Sequence, residues 1–166
     1  SIVARLDYLH NLTRQSPRAR YRVLYNAAGT NLCASVVDCL SLTTSTATEA
    51  AVLFKGYLTD HELYVHETDQ REEASYLVAT LNAATLDNLI KPTQTRGLWG
   101  ARHIHKRPLQ FPIPQYDPQN AAHARLAELG QRCAQRVQEV IPELAARYRS
   151  VGKLRGEVRR LLSAEL

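Results

Sequence analysis

Strand-like alternation of apolar and polar positions dominates the first half of this chain, and helix-like recurrence dominates the second. Tyr21-Arg22-Val23-Leu24-Tyr25 alternates and is rich in aromatic and β-branched residues. Asn26-Ala27-Ala28-Gly29-Thr30-Asn31 then reads as a turn, and Leu32 to Val37 as the returning strand. Further strands are expected over residues 51–57 and 62–67, the latter with Leu63 and Val65 alternating against Tyr64 and His66. Ile2, Val3, Leu6, Leu9 and Leu12 recur at helical spacing before Ser16-Pro17, which predicts a short opening helix over residues 2–14.

Asp69-Gln70-Arg71-Glu72 has the layout of a helix start, a capping carboxylate followed three residues later by Glu. Ala74, Leu77, Val78, Leu81 and Thr85 give that helix one face, and Lys91-Pro92 should end it. Leu109, Phe111 and Ile113 fall on one side of an extended stretch whose prolines suit an edge strand. From Asn120 the spacing of Ala122, Leu126, Leu129, Cys133, Val137, Val140 and Leu144 is helical, with Pro142 expected to kink that helix or start another. Val151, Leu154, Val158, Leu161 and Leu162 continue the stripe, so the arm should pack on something. The polar, repetitive stretch 41–48 reads as a loop. Together these predict an α+β fold: a small mixed sheet packed with helices over residues 1–119, then a C-terminal helical arm over 120–166 of the same structural unit.

Composition narrows the setting. The 166 residues are 45% apolar and 22% charged, ordinary for a globular chain with a core. No apolar run approaches the roughly 18 residues that span a membrane, so no membrane partner is expected. Cys33, Cys39 and Cys133 are odd in number and lack Cys-x-x-Cys spacing, which argues for reduced thiols and a cytoplasmic setting. Cys33 and Cys133 lie among apolar residues and are expected in the core. The chain has no Met and opens on Ser1, so it is expected to be a piece of a longer protein.

Charge changes the picture most. Between Asp87 and Asp117 there is no acid, and Lys91, Arg96, Arg102, Lys106 and Arg107 supply five positive charges, equal to the formal net charge of +5 for the chain. The same window holds two glycines, the single Trp and a Pro-rich exit. Cations meet a polyanion, glycines permit close backbone approach, and an aromatic can stack. Arginine forks suit phosphate or a guanine edge, whereas lysine mainly adds charge. Gln94, Thr95, His103 and His105 can hydrogen-bond to bases, and Trp99 either stacks or anchors the loop.

Catalytic patterns are missing from the sequence. It contains no Gly-x-Gly-x-x-Gly, Gly-Lys-Ser/Thr, His-Glu-x-x-His, Gly-x-Ser-x-Gly or Asn-Pro-Pro-Tyr segment. His103-x-His105 has ligand-like spacing, but zinc needs further ligands and none lies near in sequence. Asp60, His61, Glu62, His66 and Glu67 mix carboxylates with imidazoles, as a nuclease metal centre does, and equally as a polar strand edge does. No cofactor, metal or catalytic residue is expected in this chain.

Arg20-Tyr21-Arg22-Val23-Leu24-Tyr25-Asn26, with Gly29-Thr30-Asn31-Leu32, resembles the start of the C-terminal segment of large adenine-N6 DNA methyltransferases of restriction–modification type. The likeness continues through Leu81-Asn82-Ala83, the run from Gln94 to Leu109, Phe111-Pro112-Ile113-Pro114, Asp117-Pro118, His123 and Leu126-Ala127-Glu128-Leu129-Gly130. It covers roughly residues 20 to 135, and its most specific part is Gln94 to Pro114. The resemblance implies a target-recognition-like module similar to those of fused methylase–restriction enzymes and type I specificity subunits. Ala83 stands where Ser is commoner in that family. The implied partners are double-stranded DNA and a methyltransferase catalytic domain, the latter carrying the S-adenosylmethionine site and the Asn-Pro-Pro-Tyr motif absent here. The chain itself is then expected to be non-catalytic, with Lys91, Gln94, Thr95, Arg96, Trp99, Arg102, His103, His105, Lys106 and Arg107 as its DNA-binding residues. The alternative is a protein–protein scaffold domain of the same enzyme without base readout.

Overall fold

A computed structural model describes residues 7, 10, 12–16, 18–39, 43–45, 51–53, 57–60, 62–97 and 100–165. Most of the opening helix expected over 2–14 lies outside these residues, as do most of 41–48, residues 54–56, His61 and Trp99. The architecture is α+β. Its main sheet has the order β2-β1-β5, from β1 (Tyr21–Asn26), β2 (Ala34–Asp38) and β5 (Leu63–Thr68). Both pairings are antiparallel, so this sheet is not the mixed one that the sequence suggests. A seven-residue link joins β1 to β2, which suits antiparallel neighbours, whereas β5 reaches the other side of β1 only after residues 39–62. Two further strands, β3 (Thr43–Ser45) and β4 (Ala51–Leu53), pair with each other. β3 thus falls within the stretch expected to be a loop.

Alternation along β1 sends Tyr21, Val23 and Tyr25 to one face of the sheet and Arg22 to the other. The first three join Ala74, Val78 and Leu81 of α1 (Arg71–Leu81), and Leu86 and Ile90 of α2 (Ala84–Ile90), in the core. The single helix expected up to Lys91 is therefore two. Its break falls at Asn82-Ala83, where the Asn82 side chain accepts from the Ala34 N–H at 2.9 Å and donates to the Ala34 carbonyl at 2.8 Å. The side-chain amide mimics a strand partner for the start of β2 while the Asn82 backbone stays helical, and the chain leaves the helix at Ala83, which is extended. Asp69 does not cap α1, whose N-cap is Gln70; its carboxylate accepts from the Arg20 N–H at 3.0 Å.

Leu109 sits in a 3-10 turn (Arg107–Gln110) and is 59% exposed, while Phe111 and Ile113 pack against the core along an extended segment in no assigned strand. The expected edge strand is thus replaced by a turn and a strap, because prolines at 108, 112 and 114 remove backbone donors. Asn120 caps α3 (Ala121–Arg147), accepting from the Ala122 and His123 N–H groups at 2.9 and 3.4 Å. α3 runs through Pro142 without ending there, and α4 (Val151–Glu165) follows. Packing between α1 and α3 is the most extensive between any two helices described. Gly130 lies against the Ser75 backbone of α1; Ala127, Gly130 and Leu144 are the buried residues of α3, whereas Leu129, Cys133, Val137 and Val140 are half-buried.

The cysteines divide by exposure. Cys33 is exposed rather than in the core, because Leu32 and Ala34 take the inward phase of the alternation. Cys39 is buried and Cys133 half-buried, and burial pushes both thiols above their ordinary value. The expected result with an aromatic disulfide reagent is rapid labelling of Cys33, slower labelling of Cys133 and reaction of Cys39 only in denaturant. Mass spectrometry of the labelled peptides checks this, and fast modification of Cys39 would contradict the packing described.

Candidate functional site

The cation-rich window folds as a ribbon pinned to the β1–β2 turn. β6 (Arg96–Gly97) pairs with β7 (Gly100–Ala101). The Arg102 N–H donates to the Thr95 carbonyl at 3.1 Å, and the Arg102 carbonyl accepts from the Gly29 N–H at 2.7 Å. Gly29 has φ +141°, a conformation other residues rarely adopt, and a Cβ there would also collide with the Asn26 side chain. The Ile104 and His105 N–H groups both donate to the Ala27 carbonyl, at 3.0 and 2.9 Å. Ile104 and Pro108 are fully buried and act as the two anchors of the loop. His105 takes a left-handed φ of +45°, which turns the chain between them.

Around these anchors the polar side chains turn outward. Arg102, His103, His105 and Lys106 are exposed and Arg107 is partly exposed. Among the described residues no carboxylate pairs with Arg102, Lys106 or Arg107. A Cβ at Gly97 would stand 3.0 Å from Arg102 Nε, so the glycine leaves the guanidinium room against the ribbon. His103 Nδ1 and His105 Nε2 lie 3.2 Å apart, one donating and one accepting, with their rings 9° from parallel. Among the described residues no group of three His, Cys, Asp or Glu side chains is placed to hold a metal ion. His66 and Glu67 lie on opposite faces of β5, with His66 near Glu73 and Glu67 on Arg22.

Two expected DNA contacts are engaged elsewhere. Gln94 is 5% exposed, and its amide donates to the Gly29 carbonyl at 3.4 Å, so it tethers the loop rather than facing solvent. Lys91 pairs with Asp87 at 3.0 Å and also bonds Asn31 Oδ1 and the Thr30 carbonyl. Its charge is locally neutralised, and it closes the β1–β2 turn onto α2. Thr95 is exposed at the ribbon's base, while the side chain of Arg96 and all of Trp99 lie outside the described residues. The structure thus brings Arg102, His103, His105, Lys106 and Arg107 together and sets Gln94 and Lys91 apart. Sequence reasoning missed the anchoring role of Ile104; its one signal was an apolar residue between two histidines.

What the fold and site define is an α+β domain presenting an anchored loop whose Arg102, Lys106 and Arg107 meet no carboxylate among the described residues. Comparisons with protein-family models, curated proteins and solved structures find no match to this chain. Among the described residues no helix is long and apolar enough to cross a membrane.

Proposed function

We propose that this chain is a target-recognition module that binds double-stranded DNA for an adenine-N6 methyltransferase of restriction–modification type. Methyl transfer and S-adenosylmethionine belong, in this reading, to a catalytic domain elsewhere, and the module is non-catalytic. The observation that carries DNA binding is the group Arg102, Lys106 and Arg107, unpaired among the described residues and held on a loop with buried anchors. Cations without internal partners are available to phosphate, and a fixed loop limits the ordering entropy that binding would cost. The methyltransferase setting rests on the sequence resemblance.

Arg102, Lys106 and Arg107 replaced together by Ala should weaken duplex binding and flatten its salt dependence. The log–log slope should fall by about 0.9 for each phosphate no longer neutralised. Removing a bidentate arginine–guanine pair would cost a further 1–3 kcal/mol, roughly, at one base pair. Arg132, Arg149 and Arg155 to Ala gives the same charge change on the helical arm. Fluorescence anisotropy at several salt concentrations separates the two variants. Equal weakening in both would mean diffuse attraction and reject the loop as the reading surface. A scaffold role is the second reading, favoured by Leu126, Ile141 and Val151 at 37%, 38% and 70% exposed along α3 and α4. It predicts a partner interaction with little salt dependence and no duplex binding at low salt.

A further inference from the structure

A cavity of about 450 Å³ lies between the helix-facing side of the sheet, α1 and the strap after Pro108. It is in the range that holds small organic ligands. Tyr25 and Tyr64 line it from neighbouring strands, Tyr76 from α1 and Tyr116 from the strap. The Tyr25 and Tyr64 rings stack at 4.9 Å and form one aromatic wall. Glu73 and His66 also line it, 3.8 Å apart, with side chains 25% and 50% exposed. The Tyr76 hydroxyl is engaged with the Pro114 carbonyl at 2.9 Å, whereas the buried Tyr25 hydroxyl has no partner among the described residues.

The lining restricts the ligand class. Glu73 Oε2 already accepts from the Thr68 hydroxyl, which leaves Oε1, 3.8 Å from His66, with acceptor capacity that a purely aliphatic molecule would not use, and an anion would be repelled by that carboxylate. A flat heteroaromatic ring satisfies the tyrosine walls through stacking or edge contacts, and an exocyclic amine on it gives Glu73 a donor. We propose that this cavity binds an amine-bearing nucleobase, either in a free nucleoside or as an unstacked base of a nucleic acid. The second source rests on the DNA-binding reading: Leu109 lines the cavity two residues after Arg107, so phosphates held on the loop lie beside its mouth. The first source does not depend on that reading.

Isothermal titration of the full chain with adenosine and cytidine, against inosine and uridine, tests the class. The amine-bearing nucleosides should bind about tenfold more tightly than their oxo counterparts, as expected for one charge-assisted hydrogen bond. Glu73→Leu should erase that preference, and Leu77→Trp, which fills the cavity, should abolish binding. Circular dichroism checks folding, and Glu73→Leu keeps the test valid if Leu77→Trp does not fold. Replacing Arg102 and Arg107 should leave nucleoside binding unchanged, since nucleosides carry no phosphate. A single-stranded oligonucleotide containing 2-aminopurine identifies the source. A change in its emission that Glu73→Leu removes assigns the cavity to a nucleic-acid base; nucleoside binding without that change assigns it to free nucleosides. No nucleoside binding at millimolar concentration, or equal binding of all four that Glu73→Leu does not alter, overturns the proposal.

Discussion

Arg22→Met should lower the unfolding free energy by about 3 kcal/mol, the low end of the cost of removing one partner from a buried ion pair. The Arg22 side chain is fully buried, on the sheet face opposite α1. Its guanidinium meets Glu67 at 3.1 Å, and the two residues are cross-strand partners in the β1–β5 register. It also donates to the carbonyls of Ser16 and Tyr57 and lies over the Tyr57 ring at 4.9 Å. Met keeps the aliphatic volume and removes every donor. The Tyr57 carbonyl would lose this donor, the Ser16 carbonyl would keep only the Ala19 N–H at 3.3 Å among the described residues, and Glu67, 24% exposed, would there keep its bonds from the Ser16 N–H at 2.8 and 2.9 Å. Partial exposure of that carboxylate places the cost at the low end.

The effect should be felt beyond β1. Residues 12–16 and 57–60 are joined by paired Gln15–Thr59 bonds of 2.6 and 2.9 Å, and Arg22 fastens both segments to the sheet. Urea unfolding gives the stability, and hydrogen exchange at Ser16 and Thr59 should accelerate in the variant. Arg22→Lys should recover only part of the stability, because a single ammonium cannot span the same fork of acceptors. A midpoint for Arg22→Met equivalent to less than about 1 kcal/mol would show that Arg22 is not the hub its bonding describes.

Arg22 also shows where sequence reading stops. In an alternating strand, an arginine between Tyr21 and Val23 marks the outward phase, and periodicity identifies that phase correctly. Periodicity cannot tell that the outward face is covered by segments near residues 16 and 57, since that covering is non-local. β1 and the stripe of α3 were legible because each buries one face with the period of its own backbone, whereas β5 turns Tyr64 rather than Leu63 toward the core. The break after Asn82 was not legible, because Ala83 carries no local stop signal and the side chain beside it is held by Ala34, 48 positions away. For the site, the charge asymmetry pointed to the loop, and the structure places Arg102, Lys106 and Arg107 on its outside. The same reasoning could not separate Lys91 from them. Its neutraliser, Asp87, stands one helical turn earlier, just at the edge of the acid-free window. Gln94 was illegible for a similar reason: a polar residue beside cations looks exposed until the turn at Gly29 closes over it.

Gly130 and Gly156 should respond to the same substitution with opposite signs. Both lie inside helices, where Ala is favoured over Gly by roughly 1 kcal/mol. At Gly156 a Cβ would meet nothing within 4 Å, so Gly156→Ala should stabilise by up to that amount. At Gly130 a Cβ would overlap the Ser75 carbonyl oxygen and stand 3.3 Å from the Ala79 Cβ. The obstruction is backbone of α1, which cannot rotate away, so α3 must move outward. Overpacking of this kind costs about 1–3 kcal/mol and more for larger side chains, enough to exceed the helix-propensity gain. Gly130→Ala is therefore expected to destabilise slightly, and Gly130→Leu by about 3 kcal/mol or more. Separation of the helices would also expose Ala127, one turn before Gly130 and now 3% exposed, so hydrogen exchange should rise along both α1 and α3. Guanidinium denaturation of the three variants measures the signs. If Gly130→Leu matches the wild type, the arm does not rest on α1 in the way described. If Gly156→Ala destabilises as well, α4 has a partner on that face, and the half-exposed stripe of the arm is where to look for it.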